Sequence, residues 1–459
     1  MSKLIVNQAY TQKPLAELNM NTTADVEKML FTATKLHKQG CLPAYQRIQI
    51  LQKLANLMQA EQDDLAKLIA NEGGKPLKDA KVEVTRAIDG VGLAIAGIRS
   101  IKGYEVPMDL TEAGAGRLAF TTLEPIGVVV AVSAFNHPLN LIVHQVVPGI
   151  AAGCPVIVKP AEATPLCCLR FAELAVKAGL PEGWLQTALL DINNSQKLVT
   201  DARVGFFSFI GSARVGWMLK SKLAAGTRCS LEHGGVAPLI FDEYNDEQGF
   251  VNGVVKAGFY HGGQVCVSVQ KVFVLNGRAA DIAQKIAKAA GSLKVGDAID
   301  ADTDVGPLIN TSEVDRVSSW VDEAIAEGAT LITGGKKIGT ACYQPTVLLN
   351  PAANSKVSTM EIFGPVVCVY AVDDISEAID IANSLDVAFQ AAVFSDNISV
   401  AMRTAKALNA SAVMINDYTT FRTDWMPFAG RKHSGYGTGG IGHTMEDMLE
   451  HKMLVIKTD

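Results

Sequence analysis

From Gly127 onward the chain alternates uninterrupted apolar runs with stretches of helical period, and that alternation restricts the fold more than any other feature. GVVVAVSA, PVIVKP and VGFFSFIG carry no polar face, and helical spacing of apolar residues occupies 165–178 and 212–223. A strand that is apolar at every position cannot turn a side to water, so helices must cover both faces of its sheet, and helical crossovers make that sheet parallel. After Gly235 a second alternation begins with PLIFD and KVFVL, continues through helical stretches at 278–290 and 312–327, then TLITGG, VVCVYAV and a helix after Ser376. The expectation is an α/β protein with two doubly wound units meeting at the Gly234-Gly235 break. Ahead of them, 25–39, 43–70 and 77–99 have helical spacing, with Gly73-Gly74 closing the second, and 453–457 reads as a terminal strand.

A chain of 459 residues has room for two or three cores. Its net charge of -6 gives no field for a nucleic acid partner, and the longest apolar stretch, 141–158, is interrupted by His144, Gln145 and Pro148, so no membrane span is expected. Residues 1–20 lack the basic and apolar regions of a secretory leader, which makes the cytoplasm the expected compartment. Eight cysteines include no Cys-x-x-Cys and no zinc spacing; neither a disulfide framework nor a metal site is expected, and most of these thiols should be core fillers.

The dinucleotide fingerprint G-x-G-x-x-G is absent after the first strand. Gly211-Ser212-Ala213-Arg214-Val215-Gly216 follows the strand FFSFI and opens a helix, where free N–H groups and the dipole suit a pyrophosphate, although an ordinary strand-to-helix turn has the same pattern. Lys159 and Glu162, in Lys-Pro-Ala-Glu after PVIV, suit a ribose diol or a simple loop ion pair. Cys266 ends Gly262-Gly263-Gln264-Val265-Cys266, whose glycines let the backbone bend and bring an N–H to a bound carbonyl; a core thiol is the plainer reading. Glu232, just before Gly234-Gly235 at a strand end, is placed to activate water or merely to be solvated. Asn136 follows GVVVAVS, where it serves as an amide facing a cleft or as a helix cap.

Taken in order, PIGVVVAVSAFNHP, KPAE, FIGSARVG, LEHGG, GGQVC, GPLI, EIFGPVV and PFAGRKHSGYG resemble the aldehyde dehydrogenase superfamily from about residue 25 to the end. The resemblance implies an aldehyde dehydrogenase-like fold. A Rossmann-type NAD-binding domain would span 1–105 and 125–235, a catalytic domain 236–435, and a small β oligomerisation element 106–124 and 436–459. It makes Cys266 the nucleophile, Glu232 the general base and Asn136 an oxyanion donor. It makes Lys159 and Glu162 cofactor-ribose ligands, Gly211 and Ser212 pyrophosphate neighbours, and Glu361 with Phe363 the nicotinamide-side contacts. The implied cofactor is NAD, since Glu162 would repel a 2′-phosphate, while Lys159 admits NADP; the implied assembly is a homodimer or homotetramer.

His137, where phenylalanine is frequent, Arg422 and Arg86 are similar to the branch that oxidises small anionic aldehydes such as phosphonoacetaldehyde. A surface ion pair between Arg422 and Asp424 is the competing reading. Val265 stands where that branch carries arginine, so a sulfonate, a carboxylate semialdehyde, lactaldehyde and glyceraldehyde 3-phosphate stay open as substrates. The alternatives to acid formation are a coenzyme A-acylating reaction and a non-catalytic NAD-binding relative; the presence of Glu232 opposes the first, and intact Cys266, Glu232 and Asn136 oppose the second.

Overall fold

A computed structural model describes residues 2–458. Its first large sheet has six strands in the order Gly435–Tyr436, Arg228–Glu232, Val204–Ile210, Val128–Val132, Val156–Lys159, Leu185–Thr187, all parallel except the first. Its second has seven, in the order Thr330–Thr333, Thr346–Leu349, Val366–Val372, Lys271–Leu275, Pro238–Phe241, Gln390–Phe394, Ala412–Ile415, again parallel apart from its first strand. Strand runs such as Val128–Val130 and Val272–Val274 are at most 1 % exposed, as two-sided burial requires. In the first sheet the chain starts at Val128–Val132, builds outward on one side, then crosses to the other, so a crevice opens at the carboxyl ends of Val128–Val132 and Val204–Ile210.

The helices ahead of the first sheet differ from their expected limits in one respect. The stretch 43–70 is two helices, Ala44–Ala60 and Gln62–Gly73, broken at Glu61. The apolar spacing hides the break, because both helices turn their apolar stripes into one core. The Glu61 carboxylate takes both arms of Arg170 at 2.6 and 2.7 Å, a long-range pairing that a local pattern does not announce.

The C-terminal segment divides between the first sheet and a separate three-stranded sheet. Gly435–Tyr436 pairs with Arg228–Glu232, and Ile441 and Met445 of the helix Ile441–Asp447 are buried in the core beneath the first sheet. Only Leu449–Lys457 runs out to pair antiparallel with Arg117–Pro125, which in turn pairs with Glu105–Val106.

Candidate active site

The nucleophile candidate sits on a bent loop. His261, Gly262 and Gly263 have φ of 51°, 63° and 71°, three consecutive left-handed residues directly after the helix Glu247–Phe259. Such a turn suits glycine, and a side chain on Gly263 would collide with the Gly364 carbonyl. Buried Gln264 fixes the bend: its amide nitrogen donates to the His261 and Pro307 carbonyls at 3.2 Å, and its oxygen accepts from the Ile309 N–H at 3.0 Å. Cys266 follows, half-buried, with burial first and then Glu361 and Glu232 pushing its thiol above the usual range while Arg422 pulls it back.

Asn136 reaches this loop from the other unit. Its amide nitrogen donates to the Gln264 carbonyl at 2.9 Å, which spends one of its two hydrogens and leaves the other. The segment that carries it is anchored just downstream, where Glu83 accepts from the Leu139 and Asn140 N–H groups at 3.0 and 3.1 Å at the start of the helix Asn140–Ala152. Glu83 is itself paired with Lys75, and both side chains are fully shut off from solvent.

Two carboxylates flank the thiol. Glu232 ends its strand, and burial raises its carboxyl to about 7 despite the opposing charge of Arg422. Glu361 is raised to about 8 by burial, against the influence of Arg316. Its Oε1 is buried with no hydrogen-bond partner, and it lies so close over Gly234 that any Cβ there would strike it. Phe363, at φ 48°, meets Phe135 edge-on at 5.7 Å.

One cavity of about 710 Å³ joins these groups; Asn136, Glu232, Cys266, Glu361 and Phe363 line it, as do Gly211 and Ser212 at the crevice of the first sheet. Lys159 and Glu162 are not in its wall; they flank Ala161, which is, and stand 3.6 Å from each other. Arg86, His137 and Arg422 also line the cavity. His137 packs against Tyr260 and His261, and burial, together with Lys75, His261 and the two arginines, keeps it neutral. The Arg422–Asp424 ion pair is not formed: Asp424 binds Arg86 at 2.7 and 3.0 Å and His144 at 2.8 Å. Arg422 instead lies 3.7 Å over the Phe428 ring with Nη1 buried and unpartnered, and burial lowers its pKa only to about 10, so it is a cation at neutral pH.

The family model described as the aldehyde dehydrogenase family matches residues 2–454. The chain belongs to the aldehyde dehydrogenase family. A 3-sulfolactaldehyde dehydrogenase of Priestia aryabhattai is 37 % identical over 456 residues, covering 99 % of this chain and 95 % of that protein. Among solved structures, aldehyde dehydrogenase 21 from Physcomitrella patens in complex with the reaction product succinate superposes with a TM-score of 0.96 at 32 % identity, covering 100 % of this chain and 95 % of that one. A glyceraldehyde-3-phosphate dehydrogenase of Methanocaldococcus jannaschii complexed with NADP gives 0.94 at 32 % identity, with 100 % and 99 % covered.

In this aldehyde dehydrogenase, several residues that shape the site escape a motif reading. Gln264 is inside a recognised motif but its stitching role is not visible there; Glu83, Lys75, His144 and Asp424 lie outside every motif. The one signal for Glu83 is a carboxylate on the buried stripe of the helix Leu77–Ser100, beside Ala80, Val84 and Ala87.

Proposed function

We propose that this aldehyde dehydrogenase oxidises a small anionic aldehyde to its carboxylic acid through a thioester on Cys266, with NAD or NADP as the oxidant. The observation that carries the reading is that a thiol, a carboxyl near neutrality and a free amide hydrogen, brought from separate elements, share one cavity with an arginine that has no carboxylate partner among the described residues.

The dinucleotide fits the residues present. A crevice at a topological switch point, walled by Ala161, Gly211, Ser212 and Val215, suits its ribose and pyrophosphate, with Lys159 and Glu162 at the rim. The orphaned Glu361 oxygen, with Phe363 beside it, is a ready acceptor for a ribose hydroxyl on the nicotinamide side. When bound, the cofactor supplies the hydride acceptor.

Glu232 takes the Cys266 proton, directly or through water, and the thiolate adds to the aldehyde carbon. The alkoxide formed is held by the remaining Asn136 amide hydrogen and the Cys266 backbone N–H. Loss of hydride leaves a thioester. Glu232, once it has released the thiol proton to solvent, deprotonates the attacking water, the C–S bond breaks, and the leaving thiolate takes a proton back from Glu232 as acid departs. Arg422 holds the anionic tail, and neutral His137 offers it a ring N–H. The relatives' names support the anionic class: sulfolactaldehyde, succinate and glyceraldehyde 3-phosphate each carry a negative group.

The test is turnover of an aldehyde panel with NAD and with NADP, each with and without coenzyme A. Acid formation without coenzyme A and a preference for sulfonate, carboxylate or phosphate aldehydes over neutral counterparts are expected; strict dependence on coenzyme A would overturn the hydrolytic step. We also infer that a second copy docks on Leu449–Lys457, whose Met453, Leu454, Val455 and Ile456 are 39–57 % exposed. Sedimentation as a dimer or tetramer is expected, and a monomer at micromolar concentration overturns it.

A further inference from the structure

Besides Arg316, which is paired with Glu313, three cations line the cavity, and they are not equivalent. The charge of Arg86 is matched by a two-armed pair with Asp424, and Arg422 lies inward near Cys266 and Glu232. The third, Lys256, is in the last turn of the helix Glu247–Phe259 and is exposed at the mouth, beside exposed Val82 and Phe421. Its Nζ stands 5.8 Å from the Tyr418 ring, and among the described residues it has no carboxylate within 4.0 Å.

The carboxylates around it offset this charge only in part, because they are shared with other cations or partly protonated. Asp79 is the acid that feels Lys256, and it also faces Lys75 and Lys78, with burial raising it to about 6. Deeper in, Glu232 and Glu361 are raised to about 7 and 8 and carry only part of a negative charge near neutrality, while Glu313 is taken by Arg316 at 2.7 Å. Lys256 and Arg422 are thus two cations on the cavity wall with no carboxylate within 4.0 Å among the described residues.

We propose that Lys256 is a specificity-determining capture residue: it draws anionic aldehydes to the mouth and passes them inward to Arg422. The inference rests on the anionic-substrate reading given above and adds a residue and a kinetic role to it. A solvated ammonium contributes little as a fixed contact, but its field reaches over a Debye length of ~10 Å at 0.1 M salt and raises the local concentration of an oppositely charged substrate. The inward arginine acts differently, as a contact in the bound complex that salt screens far less.

The experiment compares wild type with K256Q, K256E and K256R on 3-sulfolactaldehyde and on lactaldehyde, the same skeleton with and without the sulfonate, across a salt series. At low salt K256Q should cut kcat/KM for the sulfonate about three- to tenfold relative to lactaldehyde, K256E should cut it further, and K256R should restore it. The four proteins should converge at ~0.5 M salt, with the loss carried by KM. A sulfonate preference that survives intact in K256E, or equal losses on both aldehydes, overturns the role of Lys256 and leaves the anionic reading standing. A wild type with no sulfonate preference at any salt overturns both.

Discussion

Arg86 and Asp424, 338 residues apart in the chain, meet as a two-armed ion pair, with Nε donating at 3.0 Å to one carboxylate oxygen and Nη2 at 2.7 Å to the other. The same carboxylate accepts from His144 Nε2 at 2.8 Å and Asn140 Nδ2 at 3.2 Å, and His144 and Arg86 hold it well below the usual carboxylate range against the effect of burial. Asp424 thus ties the loop that carries Arg422 to two helices of the first unit, Leu77–Ser100 and Asn140–Ala152. It also occupies the charge of Arg86, so of the two arginines proposed to hold an anion only Arg422 lacks a carboxylate partner among the described residues.

Replacing Asp424 by Asn should therefore destabilise the fold and loosen the site together. Removing one partner of a largely buried pair costs about 3 kcal/mol, the lower end of the usual range because a quarter of the Arg86 side chain is exposed. Because the native carboxyl is depressed, its stabilisation is complete above the unfolded value of ~3.9 and is lost as pH falls below it. Denaturant unfolding from pH 7 down to acid should show the two proteins converging; equal midpoints at pH 7 would show the pair contributes nothing.

Cys266→Ala should abolish aldehyde oxidation while cofactor binding, read by fluorescence quenching or calorimetry, persists. Retained turnover above about one per cent of wild type would exclude a covalent route through this thiol.

With Glu232→Gln, one turnover should proceed and the thioester should then accumulate, giving a burst of about one equivalent per site and an acyl adduct in the mass spectrum. In the proposed mechanism the carboxylate form is the active base. Its pKa near 7 predicts that deacylation-limited turnover rises as pH climbs through about 7 and levels off above it. A variant with an unchanged steady-state rate and the same pH profile would assign water activation to another group.

Arg422→Ala removes a charged hydrogen bond to a desolvated tail, worth roughly 1.5–3 kcal/mol, so kcat/KM for an anionic aldehyde should fall about ten- to a hundredfold relative to propionaldehyde. Most of the loss belongs in KM, since the tail is bound alike in ground and transition states. Equal losses on both aldehydes would make Arg422 a structural residue.

The α/β class was legible because two-sided burial leaves its mark on each strand: Val128–Val132 and Lys271–Leu275 are recognisable alone. The split at Glu61 was not, because both helices keep the same apolar stripe and the Glu61 carboxylate pairs with Arg170, 109 residues away. The return of Gly435–Tyr436 to the first sheet was equally hidden, since a two-residue strand has no period to detect.

The sequence by itself determined the chemical inventory: Cys266, Glu232 and Asn136 sit in local motifs whose turns are encoded by their own glycines and strand ends. The tertiary structure alone decided which charges are free. Arg86 and Arg422 look alike in the chain, and only packing gives Asp424 to the first and leaves the second without a carboxylate partner. The same holds for the raised carboxyls of Glu232 and Glu361, because desolvation depends on what covers a group, and the covering atoms come from the other unit and from residues hundreds of positions away.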